Sequence, residues 1–364
     1  MQHIPYHTQL RIKQLRVIKL LGRFCHVEKI IGMDNPKNYR NKLQYLFKRA
    51  GAKTVCGIYQ STKRTLCQVN ECMLEDKLSQ KIVHTICELC PRFKIRAYDI
   101  DSDTGLLRHV TVRKSAGKDG LMVILVTSEE NIPNERSFIN ELLRRHPEIT
   151  TIVQNVNNTN TPLFYGKKSR TLYGEGYIED TIHSLTFRIS PTSFYQVNPT
   201  QTEKLYSLVK EYAALDGTER VIDAYCGTGT ISLILAEDAA EVIGVELNRE
   251  ATEDAIKNAE INSIKNARFI CGDAGKFMRK AAEAGERIEV VVTDPPRSGA
   301  SREFLESLLT LAPKKVVYVS CNPETLARDL YFLTKNGYAA EKLQPVDMFP
   351  HTEHVESVVC LTRK

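Results

Sequence analysis

From about residue 186 to its end, the chain alternates short apolar runs with longer helical patterns, and this alternation constrains the fold more than any other feature. The runs ERVIDAY, AEVIGVEL, ARFICGD, IEVVVTD and KKVVYVSC are each followed by a helical pattern or a turn. Apolar strands separated by helices must be covered on both faces, which predicts a parallel sheet flanked by helices. In such a sheet, ligands bind beyond the carboxyl ends of the strands. The residues at which the apolar runs stop are therefore the candidates for chemistry.

The other half of the 364 residues reads differently. Between about 36 and 185 the signals are strands, in KTVCGIYQ, LLRHVTVRKS and GLMVILVTS, then a helix in ERSFINELLRRHPE, then TTIVQNV and a strand pair ending at LTFRIS. This predicts a β-rich α+β domain. Residues 1–35 form a third, basic segment whose HTQLRIKQLRVIKLLGRF predicts an amphipathic helix with Leu10, Val17 and Leu21 on one stripe. Residues 1–50 carry 11 Lys or Arg against two acids, while the whole chain carries a net charge of +6. Charge gathered at one end is either a solvated basic face or a surface for a phosphate backbone, and Arg40, Lys42, Lys48 and Arg49 are candidates for the latter. No window approaches the length of a membrane span, and MQHIPYHTQLRIKQ lacks the apolar core of a signal peptide. The ten cysteines are scattered from Cys25 to Cys360, as expected of reduced thiols in a cytoplasmic protein.

Five strand ends carry distinctive residues. VIDAYCGTGTISLILA is a strand, a glycine turn and a helix start, an arrangement that brings a nucleotide-like ligand against backbone amides. The third glycine of a dinucleotide fingerprint would fall at Ser232, which disfavours a dehydrogenase. Asp223 with Gly227 and Gly229 instead resembles the first motif of S-adenosylmethionine methyltransferases. Glu246 ends the next strand 19 residues after Gly227, where a carboxylate can accept both ribose hydroxyls, and Asp273 ends the third, where adenine would lie. After the fourth, two prolines force an extended exit and hold Asp294 at the sheet edge, followed by Arg297. The fifth delivers Cys321 into Asn-Pro, a position suited to a nucleophile; packing is the competing reading of this thiol. Glu356 opens the last strand close to His351 and His354, but their spacing on an irregular loop argues against a metal site. Phe194 and Tyr195 lie in a polar, Pro-bounded stretch before a helix, as a hydrophobic staple or as surfaces that stack a base.

Taken in order, SFYQVNP, DAYCGTGT, GVELN, DPPRSG, VSCNP and FPHTEHVE resemble the bacterial RNA uracil-5-methyltransferase family, and most closely its members acting on 23S ribosomal RNA. The resemblance implies an α/β fold: a Rossmann-like S-adenosylmethionine methyltransferase domain over 186–364, preceded by an α+β RNA-binding domain over 36–185. It implies Cys321 as nucleophile and Glu356 as general base. Gln196, Tyr225, Glu246, Asp273 and Asp294 would surround S-adenosylmethionine, and Phe194 and Arg297 would meet the RNA. The implied partner is RNA, 23S ribosomal RNA in particular, with neither DNA nor membrane, for a monomeric enzyme. A tRNA uracil-5-methyltransferase would share the whole catalytic set, and a non-catalytic RNA-binding protein with the same fold is the alternative of another class. Members of this type usually begin with a small β-barrel and a cysteine cluster that, with a fourth Cys matching Cys72, holds an iron–sulfur centre. This chain starts at MQHIPYHTQL, after that position, so a cluster of the family type is not expected in it. Cys67, Cys72, Cys87 and Cys90 are the remaining candidates for a separate metal, but the C-x₂-C of TICELC lies on an apolar helical stripe, which favours packing.

Overall fold

The computed structural model describes residues 1–51, 53–60, 65–159 and 164–364. The chain divides into two units, one made of 1–36, 182–187 and 193–364, the other of 37–181 and 188–192. The basic helix α1 (Tyr6–Leu21) thus belongs with the C-terminal residues rather than forming a segment of its own, and the basic stretch 1–50 is split between the units.

The second unit is built on a seven-stranded sheet. Its strands are β1 (Lys42–Ala50), β2 (Lys53–Gln60), β3 (Thr65–Gln68), β4 (Leu107–Lys114), β5 (Leu121–Thr127), β6 (Thr151–Val156) and β7 (Lys168–Tyr173), in the order β3-β2-β1-β4-β5-β6-β7. Only β5 and β6 run parallel, joined through α3 (Glu135–Arg145). Helix α2 (Lys77–Arg92) buries Ile82, Val83, Ile86, Leu89 and Cys90 in a core shared with Leu43, Tyr45 and Val110. Cys90 of the C-x₂-C is therefore a packing residue. Lys42 stands opposite Arg113 across β1 and β4. Burial, then Arg113 and Arg40, draw the Lys42 ammonium down to about 7.

A two-stranded sheet of β8 (Ile178–Ile182) and β9 (Leu185–Ile189) is followed by α4 (Pro199–Ala213) and the alternation that the sequence predicts. The elements are β10 (Arg220–Ala224), α5 (Thr230–Ala236), β11 (Glu241–Glu246), α6 (Arg249–Ile261), β12 (Ala267–Cys271), α7 (Ala274–Glu283), β13 (Val290–Thr293), α8 (Arg302–Leu311), β14 (Lys315–Ser320), α9 (Pro323–Lys335), β15 (Tyr338–Val346) and β16 (Glu356–Arg363). They make one sheet in the order β12-β11-β10-β13-β14-β16-β15, parallel from β12 to β14 and closed by the antiparallel β16 and β15. Val221, Ile222, Val291, Val292, Val316 and Val317 are wholly or almost wholly buried, as strands covered on both faces require.

Helix α1 packs on this unit by its apolar stripe, with Val17 and Leu21 fully buried. Its polar positions are also engaged. Tyr6 Oη donates to Asp347 Oδ2 at 2.9 Å, Gln9 Nε2 to His351 Nδ1 at 3.0 Å, Lys13 Nζ to Asp347 Oδ1 at 2.6 Å and Arg16 Nη1 to the Glu353 carbonyl at 3.1 Å. Positions 6, 9, 13 and 16 share one helical face, and this face holds the loop that leads into β16. Lys13 is neither on a solvated basic face nor open to a phosphate backbone, being buried in an ion pair.

Candidate active site

The carboxyl ends of the parallel strands form the site edge, and every residue singled out at a strand end lies there. β10 runs into a turn in which Tyr225, Gly227 and Gly229 all adopt positive φ, at 67°, 56° and 80°. A Cβ at Gly227 would meet nothing within 4 Å, so the turn leaves open space beside its backbone. Glu246, at the end of β11, closes the turn: its Oε2 accepts from Gly227 N at 3.0 Å and its Oε1 from Asn248 N at 2.7 Å. The next residue, Leu247, is 71 % exposed. This exposed apolar side chain lies beside that acid at the strand's carboxyl end, a placement that strand-end acids alone do not mark. Its signal was an apolar residue placed after the strand rather than inside it. Asp273 is exposed and caps α7 by accepting from Lys276 N at 2.9 Å. Tyr225 is half-buried, with its ring 5.7 Å from that of Phe304. Burial, then Asp273 and Asp329, push its hydroxyl up to about 12.

Beneath the turn, Asp223 is buried and accepts from Ser232 Oγ at 2.6 Å, so the serine that breaks the dinucleotide fingerprint is a partner of the strand's own carboxylate. Burial is the main cause that lifts Asp223 to about 7. Gln196 is buried beside Tyr206, whereas Phe194 two residues earlier is 65 % exposed. The loop before α4 thus sends one side chain into the protein and one out of it.

Cys321 follows β14, and the Asn-Pro after it has a structural purpose. Asn322 is the N-cap of α9, accepting from Glu324 N at 3.1 Å, and Pro323 occupies the first turn, where its missing N–H costs nothing. Asn322 Nδ2 also donates to the Arg297 carbonyl at 3.1 Å, tying the thiol-bearing turn to the Pro-Pro-Arg loop. Across the ladder, Ser320 is registered with Ser357, so one step further sets Cys321 opposite Glu356. Glu356 is buried, Asp294 at the end of β13 is partly buried, and Cys321 is partly exposed. Glu356 and Asp294 both act electrostatically on Cys321 in one low-dielectric corner. Burial, then Glu356 and Asp294, push the Cys321 thiol up to about 11, against the pull of Arg297. Asp294 is lifted to about 7 by burial. Glu356 is raised well above its ordinary range by burial and then by Asp294, again against Arg297. Two carboxyls in one buried corner oppose each other's ionisation, and burial adds to that opposition. Arg297 is exposed, and its Nη2 donates to His354 Nδ1 at 2.9 Å.

His351 does not join this corner; its backbone N–H donates to Gln9 Oε1 at 2.9 Å. Among the described residues, no group of three or more His, Cys, Asp or Glu is arranged to hold a metal ion, and no helix is long and apolar enough to cross a membrane.

This strand order, with a glycine turn, open space beside it and acids at successive strand ends, defines an S-adenosylmethionine-dependent methyltransferase. The family described as tRNA (uracil-5-)-methyltransferase matches residues 165–364. An uncharacterized RNA methyltransferase of Oceanobacillus iheyensis is 43 % identical over 370 residues, covering 100 % of this chain and 81 % of that protein. One from Halalkalibacterium halodurans is 43 % identical over 369 residues, with the same coverage. Among solved structures, the tRNA (uracil-54, C5)-methyltransferase of Pyrococcus abyssi in complex with S-adenosyl-L-homocysteine is 28 % identical, with a TM-score of 0.82, covering 99 % of this chain and 84 % of that one. The chain belongs to the RNA uracil-5-methyltransferase family and is an S-adenosylmethionine-dependent RNA methyltransferase.

Proposed function

We propose that this enzyme methylates C5 of a uridine through a covalent bond between Cys321 and C6 of the base. The observation that carries the reading is the register of β14 and β16, which sets a thiol opposite a buried carboxyl at the site edge. S-adenosylmethionine, when bound, supplies an electrophilic methyl group. Gly227, Glu246, Asp273 and Tyr225, with Gln196 and Asp294, form its seat, and the open space beside Gly227 fits a ligand lying against the backbone.

The chain's own residues supply the rest. C5 of uracil is too weakly nucleophilic to take a methyl group unaided. Cys321, ionised, adds to C6; the S–C6 bond forms, the C5=C6 double bond opens, and the electron pair moves toward O4 as an enolate whose C5 can react. Once C5 carries the methyl group, its hydrogen must leave as a proton. Glu356 in its ionised form accepts it, the double bond returns and the thiolate departs, regaining a proton. The base must be taken out of its stack to reach this corner, and the exposed Phe194 is the surface it would stack on. Arg297, also exposed, meets the RNA at the site mouth. The domain over 36–185 binds the rest of the RNA.

The target we assign is 23S ribosomal RNA, on the motif set from SFYQVNP to FPHTEHVE. Transfer RNA is the second reading, favoured by the substrate of the Pyrococcus enzyme. Mass mapping of 5-methyluridine in both RNAs from a deletion strain, with and without the gene restored, decides between them. Loss confined to tRNA overturns the ribosomal assignment, and loss from neither overturns uridine C5 as the target.

A further inference from the structure

The proposed reaction has an electrostatic difficulty. Its nucleophile is a thiol that burial and two carboxyl neighbours hold in the neutral form. Among the described residues, the cation that acts on both Cys321 and Glu356 is Arg297. Arg297 is exposed, on a loop that begins with two prolines, and a free guanidinium there would spend most of its time in water. The structure shows what holds it: His354, two residues before Glu356, takes the guanidinium on Nδ1 at 2.9 Å.

That bond dictates the state of the imidazole. A guanidinium only donates, so Nδ1 must be the acceptor and the ring must be neutral, with its proton on Nε2. The surroundings favour this. His354 lies half-buried between Arg297 on the loop after β13, Glu353 on its own loop, and Lys13 and Arg16 on α1, with the ring of Phe349 6.2 Å away edge-on. Lys13 is committed to Asp347, and Arg16 pairs with Glu324 in the first turn of α9. Burial and the three cations outweigh Glu353, and the imidazole is drawn below its ordinary range. It therefore stays an acceptor through neutral pH.

We infer that His354 is a positioning residue: its neutral ring, accepting at Nδ1, keeps the Arg297 guanidinium beside Cys321 and Glu356 so that the charge favouring thiolate is in place before the base arrives. The inference rests on the reading of Cys321 as nucleophile. Protonation turns Nδ1 from acceptor to donor and places a second positive charge against Arg297, which releases it. Helix α1 thereby acts on the chemistry without touching it, since Lys13 and Arg16 help keep His354 neutral.

The test is the rate at which the enzyme forms a covalent adduct with RNA carrying 5-fluorouridine at the target, measured from pH 5 to 9. In His354→Asn, Oδ1 replaces Nδ1 as the acceptor and cannot titrate. In His354→Leu there is no acceptor. The parent rate should rise with pH and fall more steeply in acid, below the ordinary imidazole range, as His354 protonates. His354→Asn should keep close to the parent rate at pH 7.5 and lose the added acid steepness. His354→Leu should be slower by about tenfold at pH 7.5, the thiolate fraction lost for each unit by which the thiol pKa rises. S-adenosylmethionine affinity by calorimetry should be unchanged in both. A Cys321-dependent adduct formed at the parent rate by His354→Leu, or slowed equally in His354→Asn, overturns the inference alone. An adduct that persists in Cys321→Ala overturns the nucleophile assignment and the inference with it. Should His354→Leu fail to fold, the two remaining acid limbs decide: coincident limbs in the parent and His354→Asn overturn the inference.

Discussion

Lys13→Met should cost unit stability far out of proportion to the strength of the bond it removes. The Lys13 and Asp347 side chains are 1 % and 0 % exposed, and Nζ lies 2.6 Å from Oδ1 and 3.0 Å from the Phe349 carbonyl. Removing the ammonium leaves the Asp347 carboxylate buried with Tyr6 Oη as its remaining side-chain donor. Breaking a buried pair from one side costs about 3–5 kcal/mol, and the surviving Tyr6 bond places this case near the lower end, about 3 kcal/mol. The pair itself is worth much less. Burial outweighs Asp347 in setting the Lys13 pKa, which lies below its ordinary value, so the attraction does not fully offset the loss of hydration. Hence Lys13→Met/Asp347→Asn, which removes both charges and keeps a polar group for Tyr6, should recover to within about 1 kcal/mol of the parent. Urea unfolding at pH 7 of the parent, both single variants and the double variant gives the coupling energy directly. A single variant within about 1 kcal/mol of the parent would mean that water reaches Asp347. A double variant as unstable as Lys13→Met would mean that packing of the lysine stem, and not its charge, is what the fold needs.

Glu356→Gln should still add to C6 and methylate C5 but fail to eliminate, accumulating a methylated RNA adduct that survives denaturing electrophoresis and is absent in Cys321→Ala/Glu356→Gln; turnover at the parent rate refutes its role as base. Glu246→Ala should weaken S-adenosylmethionine binding in calorimetry by at least tenfold, and it should also loosen the glycine turn whose Gly227 N–H it accepts; unchanged affinity removes it from the site. Lys42→Met should alter the pH dependence of stability. The folded pKa is about 7, below the ordinary lysine value, so the unfolded chain binds more protons between about pH 7 and 10, and parent stability gains up to about 1.4 kcal/mol per pH unit from this group there. The variant should therefore be the more stable near pH 6 by chemical unfolding and lose that advantage by pH 10, whereas parallel profiles would mean that Lys42 is solvated.

The parts of this molecule that were legible in the sequence are those set by local periodicity. The five parallel strands and the start of the last strand at Glu356 follow from apolar runs that must be covered on both faces, and strand ends locate Glu246, Asp294 and Cys321 at one edge without any knowledge of packing. The companions of these residues were not legible. Charge counting treats Lys13 like Lys42, Lys48 and Arg49, yet Lys13 is in an ion pair with an aspartate 334 residues away, and only tertiary structure brings the two together. The same holds for His354. In sequence it is one of two histidines near a glutamate, whose spacing argues against a metal site and names no other role. In space it has a guanidinium on Nδ1, which a metal ligand at that nitrogen could not have. A histidine committed to a cation through its acceptor nitrogen, and surrounded by two further cations from α1, is in an environment that holds it neutral. The loop 347–354 thus joins the N-terminal helix to the corner of Cys321 and Glu356: Asp347, His351 and Glu353 are gripped by α1, His354 grips Arg297, and Glu356 follows two residues later. A change on α1 that shifted this loop would therefore move Glu356 and Arg297 together, and, on the proposed mechanism, its effect should appear in the rate of adduct formation before it appears in affinity for S-adenosylmethionine.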